Sequence, residues 1–157
     1  MRRSPQPSDM VHLFAALADR TRLRLLSLME DREVCVCYFV EILRQSQPKI
    51  SRHLAYLRGA GIVRARRDGK WMHYRIERPA DPIAASVLDT ALAALRSDSQ
   101  MQEDRTRLKQ ACCLPQRFGA LEGAPRPGKI LCTTAAQQPD DESKDAYMSI
   151  KQSSRHR

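Results

Sequence analysis

Two close pairs of cysteines are the residues of this chain whose type and spacing could bind an ion. Cys35 and Cys37 are separated by one residue, and Cys112 and Cys113 are adjacent. Thiolates select soft, thiophilic ions, which include trivalent arsenic and antimony, cadmium, zinc and cuprous copper. Inorganic trivalent arsenic prefers three thiolates, whereas a methylated arsenical needs only two sulfurs. The alternative interpretation of either pair is a set of small buried apolar residues.

A concentration of positive charge is the second feature that could do chemistry. The 157 residues carry a net charge of +9, and residues 44–78 hold ten Lys and Arg against two acidic residues. Such a basic stretch attracts a polyanion, and nucleic acid is the first candidate. A solvated surface that only promotes solubility would carry the same charge, so the choice depends on local structure.

Hydrophobic periodicity predicts the helices that precede and carry these side chains. Helical spacing covers residues 9–18 and resumes after Asp19. A short helix containing Phe39 comes next. Residues 47–58 then form a helix with one apolar face for the core and one polar face outside.

The pattern changes from helix to strand after residue 61. Two strand-like runs, 62–67 and 71–76, are joined by Asp68-Gly69, which is a strong hairpin signal. A helix over 82–96 and a further helical segment over 99–111 complete the predicted elements. The sequence therefore predicts a mainly α fold with a small β-hairpin.

The predicted order of elements is that of a winged helix-turn-helix, namely a short helix, a tight turn, a second helix and a basic hairpin. A helix of this width fits the major groove of DNA, and the hairpin tip can reach phosphate or the minor groove. A winged helix used only for protein contacts is the alternative. The candidate DNA-contacting side chains are Gln47, Lys49, Ser51, Arg52, His53 and Tyr56 on the helix and Arg66, Arg67 and Lys70 on the hairpin.

Four motifs, at residues 18–23, 33–37, 46–54 and 57–63, occur in an order and at a spacing that resemble the ArsR/SmtB family of metal-responsive repressors. The resemblance covers roughly residues 8–113 and implies a DNA-binding and dimerisation domain rather than an enzyme. It implies a homodimer that binds an inverted-repeat operator in double-stranded DNA and releases it when a metal or metalloid ion binds.

The same resemblance implies the inducer, which is expected to be As(III) or a related thiophilic ion. No organic cofactor is expected. Arsenic repressors of the family carry Cys-x-Cys-x-x-Cys where this chain has Cys35 and Cys37, but the third position is Val40. Cys112 and Cys113 resemble a vicinal pair in another branch. Three arrangements of the ion site stay open. The ligands are Cys35 and Cys37, or Cys112 and Cys113 with or without Cys132, or residues from both pairs in one mixed site.

A zinc site of the kind found on the family's last helix is not expected. Residues 82–110 contain no histidine. The histidines of the chain do not cluster, and we interpret each as a surface or DNA-facing residue. They are His12, His53, His73 and His156.

Two functional alternatives belong to other classes of protein. A thiol redox regulator would oxidise one of the cysteine pairs, although adjacent cysteines form a strained disulfide. A thiol oxidoreductase is disfavoured because no Cys-x-x-Cys precedes a helix and because it would leave the basic hairpin unexplained.

The remaining predictions concern surfaces and location. The apolar stripe of helix 82–96, partnered by Val11 and Phe14, is the predicted dimer surface, and its packing on its own domain is the alternative. Residues 114–157 lack a sustained period and are predicted to be a disordered tail. Without an apolar leader or a membrane-length apolar run, the chain is expected to be soluble and cytoplasmic.

Overall fold

The computed structural model of the chain describes residues 7–128 and residue 130, and these form a helical domain with a small sheet. The elements are α1 Pro7–Leu17, α2 Arg20–Met29, β1 Val34–Cys35, α3 Val36–Leu43, α4 Gln47–Gly59, β2 Val63–Asp68, β3 Trp71–Ile76, α5 Pro82–Leu95 and α6 Ser99–Cys113. The winged helix-turn-helix class predicted from the sequence is confirmed, with α3 and α4 as the helix pair and β2 and β3 as the wing.

The sheet contains a third strand that the sequence pattern did not predict. Its order is β1-β3-β2, and all pairs are antiparallel. Asp68 pairs with Trp71 across the hairpin, so the two loop residues are Gly69 and Lys70, one position later than predicted. Gly69 has φ +56°, a conformation that glycine adopts without steric cost.

Aspartates begin three of the helices. The side chains of Asp19, Asp81 and Asp98 accept hydrogen bonds from backbone N–H groups three residues on, at 2.9, 2.8 and 3.1 Å. These groups have no partner inside the helix, and a cap of this kind contributes about 1 kcal/mol. The caps therefore set where α2, α5 and α6 begin.

The core is made of aliphatic side chains with Tyr38 and Phe39 of α3 fully buried. The predicted apolar face of α4 is confirmed, because its Ile, Leu and Leu side chains at positions 50, 54 and 57 are fully buried. Leu88 and Leu92 of the α5 stripe pack into the domain's own core, whereas Val87, Ala91 and Leu95 are only partly buried. Part of the stripe therefore packs on its own domain, and the role of the rest in a dimer stays a prediction.

An ion pair fastens α6 to α2. The guanidinium of Arg24 donates to both carboxylate oxygens of Asp104, at 2.6 and 2.8 Å. Asp104 is 1% exposed, so its charge is compensated almost entirely by this one partner. This ion pair fixes α6 against α2. The same helix α6 carries Cys112 and Cys113.

The residues directly after α6 have regular turns, whereas the sequence predicted a disordered tail from residue 114. Two 3₁₀ turns, Pro115–Arg117 and Gly119–Leu121, follow α6, and Leu121 is buried in the core. Turns of three residues show no periodicity, which is why the sequence pattern missed them. Most of the predicted tail, including Cys132, lies outside the described residues. None of the described helices has the length and apolar character of a membrane span.

Candidate functional site

Helix α4 presents the predicted polar face to solvent. Gln47, Lys49 and Arg52 are exposed, and Ser51 is half-buried beside them. The apolar face of the same helix is locked into the core, so these side chains project from a rigid support. A helix held in this way can enter a groove without rearrangement.

Two other candidates on α4 contact the start of α2. His53 Nδ1 lies 3.4 Å from Asp19 Oδ1, and the His53 side chain is only 18% exposed. The guanidinium of Arg22 stacks over the Tyr56 ring at 4.3 Å, while two backbone carbonyls hold it in place at 2.7 Å each. His53 and Tyr56 therefore join α4 to α2, and the sequence pattern indicated neither contact.

The wing candidates are exposed, but each already has a neighbour. Arg67 Nε donates to the carbonyl of Gly69 at 3.1 Å, and Lys70 Nζ lies 4.8 Å from the centre of the Trp71 ring. Arg66 Nη2 and Nε donate to Glu33 Oε1 at 2.6 and 3.1 Å. This pairing lowers the pKa of the Glu33 carboxyl, chiefly through the hydrogen bond from Arg66.

His73 is not on the surface. Its side chain is buried, with Nδ1 3.8 Å from the carboxylate of Glu33. His73 lies opposite Cys35 in the ladder between β3 and β1. The interpretation of His73 as a surface or DNA-facing residue is wrong because the unpredicted strand covers it.

The structure brings the sulfurs of Cys35 and Cys37 together. The Cys37 S–H donates to Cys35 Sγ at a sulfur–sulfur distance of 2.9 Å. Cys35 ends β1 and is fully buried, whereas Cys37 lies in the first turn of α3 and is half-buried. The strand-to-helix turn at residue 36 therefore converts a one-residue spacing into adjacent side chains.

The thiol pair has unequal acidity. The hydrogen bond from Cys37 lowers the pKa of Cys35 to about 7, and backbone N–H groups, among them that of Met72, contribute in the same direction. The pKa of Cys37 is raised, because its proton is held by the Cys35 sulfur. One thiolate is consequently present near neutral pH, and the thiolate is the form that binds metals.

The second pair of cysteines is arranged differently. Cys112 is buried beside the Tyr38 hydroxyl, and burial raises the pKa of its thiol. Cys113 is half-buried and disulfide-bonded. The free thiols of the described residues are Cys35, Cys37 and Cys112. Adjacent residues of a helix point about 100° apart, so the side chains of Cys112 and Cys113 leave α6 in different directions.

Tyr38 lies between the two sets of thiols. Burial raises the pKa of its phenol, and the nearby sulfurs of Cys112 and Cys37 raise it further. Even so, no group of three His, Cys, Asp or Glu side chains within the described part of the chain is placed to hold a metal ion. Among the described cysteines, the sulfurs of Cys35 and Cys37 adjoin, and the arrangement that includes Cys132 lies outside the described residues.

Comparison with known proteins gives the family. Residues 19–65 match the model described as "Bacterial regulatory protein, arsR family". The "Arsenic resistance transcriptional regulator ArsR1" of Pseudomonas putida is 52% identical over 107 residues, which span 66% of this chain and 80% of that protein. The chain belongs to the ArsR family. It is therefore a DNA-binding transcriptional regulator and not an enzyme, as the sequence predicted.

Two further proteins are similar to this chain. The "Arsenical resistance operon repressor" of Escherichia coli is 48% identical over 82 residues, which span 52% of this chain and 70% of that protein. Among solved structures, HlyU from Vibrio cholerae is 26% identical with a TM-score of 0.49, over 55% of this chain and 91% of that one.

Residues outside the predicted set complete the site. Glu33 holds the wing arginine, Arg22 stacks on Tyr56, and Tyr38 separates the two sets of thiols. Glu33 and Arg22 both lie inside the family motifs, which was the available signal for them. Tyr38 had no such signal, because its neighbour on α6 is more than 70 residues away.

Proposed function

We propose that this ArsR-family chain is a cytoplasmic homodimeric repressor whose domain, residues 8–113, binds an inverted-repeat operator and releases it when trivalent arsenic binds Cys35 and Cys37. The observation that carries the proposal is the 2.9 Å approach of these two sulfurs, one of which is half ionised near pH 7. The names of the relatives from Escherichia coli and Pseudomonas putida support arsenic as the inducer.

The chemistry of the pair suits an arsenic hydroxide. The two sulfurs are 2.9 Å apart, within about 1 Å of the separation of two ligands that each lie about 2.3 Å from one ion, the distance typical of a metal–thiolate bond. Each thiol replaces one hydroxide of arsenite, so that two sulfur–arsenic bonds form and two waters leave. The third oxygen stays on arsenic, and no electron is transferred. Two thiols are therefore sufficient, although this chain has Val40 where the family's pattern has a third cysteine.

The DNA contacts follow from the exposed faces of α4 and the wing. Gln47, Lys49, Ser51 and Arg52, with His53 and Tyr56 at the edge, would read the major groove. Arg66, Arg67 and Lys70 would contact phosphate or the minor groove.

The dimer surface is proposed from exposed apolar side chains. Val11, Phe14 and Ile83 are each more than half exposed on α1 and α5. Large apolar side chains that group together in water are typical of a protein–protein contact. A two-fold dimer would place two recognition helices on half-sites about one helical turn apart.

The test is operator binding followed by fluorescence anisotropy during an arsenite titration. We expect release by wild type and by Cys112→Ser/Cys113→Ser, and no release by Cys35→Ser/Cys37→Ser. Loss of release in the α6 variant alone would contradict the proposed site. A parallel titration with hydrogen peroxide tests the redox regulator, since release by peroxide but not by arsenite would favour that alternative.

A further inference from the structure

The strand that carries Cys35 belongs to the sheet of the wing. Val34 pairs with Tyr74 and Cys35 pairs with His73, both on β3. The backbone N–H of Met72, also on β3, approaches the Cys35 sulfur and helps to lower its pKa. A ligand that binds this sulfur therefore acts on an atom that already interacts with the wing.

A second connection joins the same segment to a predicted DNA-contacting side chain. Glu33, two residues before Cys35, accepts two hydrogen bonds from Arg66 on β2, at 2.6 and 3.1 Å to one oxygen. A weaker contact, 3.3 Å from Arg66 Nη1, goes to Asp68 in the hairpin. Guanidinium binds phosphate in the same forked geometry as carboxylate. Glu33 and a DNA phosphate therefore compete for Arg66.

Binding of an ion changes the separation of the two sulfurs, one of which ends β1. Two sulfurs at about 2.3 Å from one ion, with bond angles near 100°, lie roughly 3.5 Å apart. The free sulfurs are 2.9 Å apart, so they have to separate. Cys35 is fully buried and held in a sheet, and packed elements of this kind move as units rather than deform continuously.

We propose that the Glu33–Arg66 pair transmits inducer binding to the DNA, with Glu33 as a positioning residue. In the operator complex Arg66 leaves Glu33 for a phosphate. Arsenic at Cys35 and Cys37 shifts β1 so that Glu33 recaptures Arg66, and the wing loses its phosphate contact. This inference rests on the proposed function, because it specifies how that same site controls DNA binding.

The experiment compares Glu33→Gln with Glu77→Gln as a matched control. Glu77 ends the same wing, 3.8 and 3.9 Å from Arg64 and Arg75, so its substitution makes the same charge change without touching β1. Arsenite binding is measured first, by the near-ultraviolet absorbance of sulfur–arsenic bonds. Operator affinity is then measured with and without arsenite over a range of salt concentrations.

For wild type we expect arsenite to weaken operator binding roughly 5- to 150-fold, the usual range of allosteric coupling. The salt dependence should also fall by about one phosphate contact per protomer. Glu33→Gln should bind arsenite normally yet keep less than about a fifth of this fold-change. Its salt dependence should not respond to arsenite, and Glu77→Gln should behave as wild type.

A second variant tests the same ion pair from its exposed side, where a substitution is not expected to disturb folding. Arg66 is more than half exposed, so Arg66→Gln should fold, bind the operator more weakly and lose the arsenite-dependent change in salt slope. The inference would be overturned, and the proposed function left intact, if arsenite released Glu33→Gln fully from the operator. The same would follow if Glu33→Gln and Glu77→Gln lost the arsenite-dependent fold-change in operator affinity equally. A wild type that binds no arsenite, or that keeps its operator, would overturn the proposed function and this inference with it.

Discussion

The two pairs of cysteines show that proximity along the chain and proximity in space are different properties. Cys112 and Cys113 are adjacent in sequence, yet one is buried beside Tyr38 while the other is disulfide-bonded. Cys35 and Cys37 have a residue between them, yet their sulfurs lie 2.9 Å apart. The difference arises because the first pair lies inside one helix and the second spans a strand-to-helix turn.

The surroundings of the two pairs differ as well. The α6 pair lies on a helix that the buried Arg24–Asp104 ion pair fixes to α2, so we assign it to the framework. In the other pair, Cys35 ends β1, whose two residues pair with β3 of the wing, and Cys37 lies in the first turn of α3. A site that must change shape on binding is expected where the connections are few.

The largest effect is expected on stability, from the framework side. Asp104→Ala leaves the Arg24 charge without its carboxylate, and removal of one partner of a buried ion pair costs roughly 3–5 kcal/mol. Urea denaturation measures the change in the free energy of unfolding. The control is Glu103→Ala, the exposed neighbour on α6, which should change stability by less than about 0.5 kcal/mol. Equal effects of the two substitutions would contradict the framework role.

The next effect is on arsenite affinity. Cys37→Ala removes one of two sulfurs that act as a chelate, and loss of the intramolecular second bond should weaken binding roughly 100-fold. Cys112→Ala should change the affinity by no more than about twofold, because its sulfur is not a ligand in this account. Isothermal titration calorimetry gives both values. A larger loss in Cys112→Ala than in Cys37→Ala would reverse the comparison.

A smaller effect concerns the acidity of Cys35. Its thiolate absorbance at short ultraviolet wavelengths should rise with a midpoint near pH 7, because Cys37 donates a hydrogen bond to the charged form. Without that donor, in Cys37→Ala, the pKa should rise to about 8.5 or above, the ordinary value for cysteine. Arsenite binding by wild type should accordingly weaken as the pH falls below 7. The Cys35→Ala variant should lack the step near pH 7, which assigns it.

The smallest effect is expected from Tyr38→Phe. The substitution removes the hydroxyl that interacts with Cys112 and leaves the ring packed in the core. Loss of one such polar interaction costs about 1 kcal/mol in the free energy of unfolding. Operator release by arsenite should be unchanged. If Tyr38→Phe abolished release while remaining folded, the two sets of thiols would be functionally joined.

Elements of ordinary length were predictable from the sequence. The apolar face of α4 and the wing hairpin depend on local spacing, and both are present in the structure, with the hairpin turn one position later than predicted. The strand β1 was not predictable, because two residues have no period and owe their conformation to a partner about 40 positions away. The burial of His73 and the approach of Glu33 to Arg66 follow from that strand, so they were missed as well.

The thiol site was only partly predictable for a related reason. Residue types and spacing identified four candidate cysteines, but both pairs remained possible because spacing alone does not give the direction of a side chain. The backbone turn at residue 36 brings the sulfurs of Cys35 and Cys37 together, and helical geometry directs Cys112 and Cys113 differently. The ion pair between Arg24 and Asp104 joins residues 80 positions apart, a distance over which no local pattern gives information.

The most direct test of the account is X-ray absorption at the arsenic edge on the arsenite-loaded protein. We predict two sulfurs at about 2.3 Å from arsenic in wild type and the same number in Cys112→Ala. Cys37→Ala should lose this coordination. Three sulfurs in wild type that fall to two in Cys112→Ala, with coordination retained in Cys37→Ala, would contradict the assignment of Cys35 and Cys37 as the sensing pair.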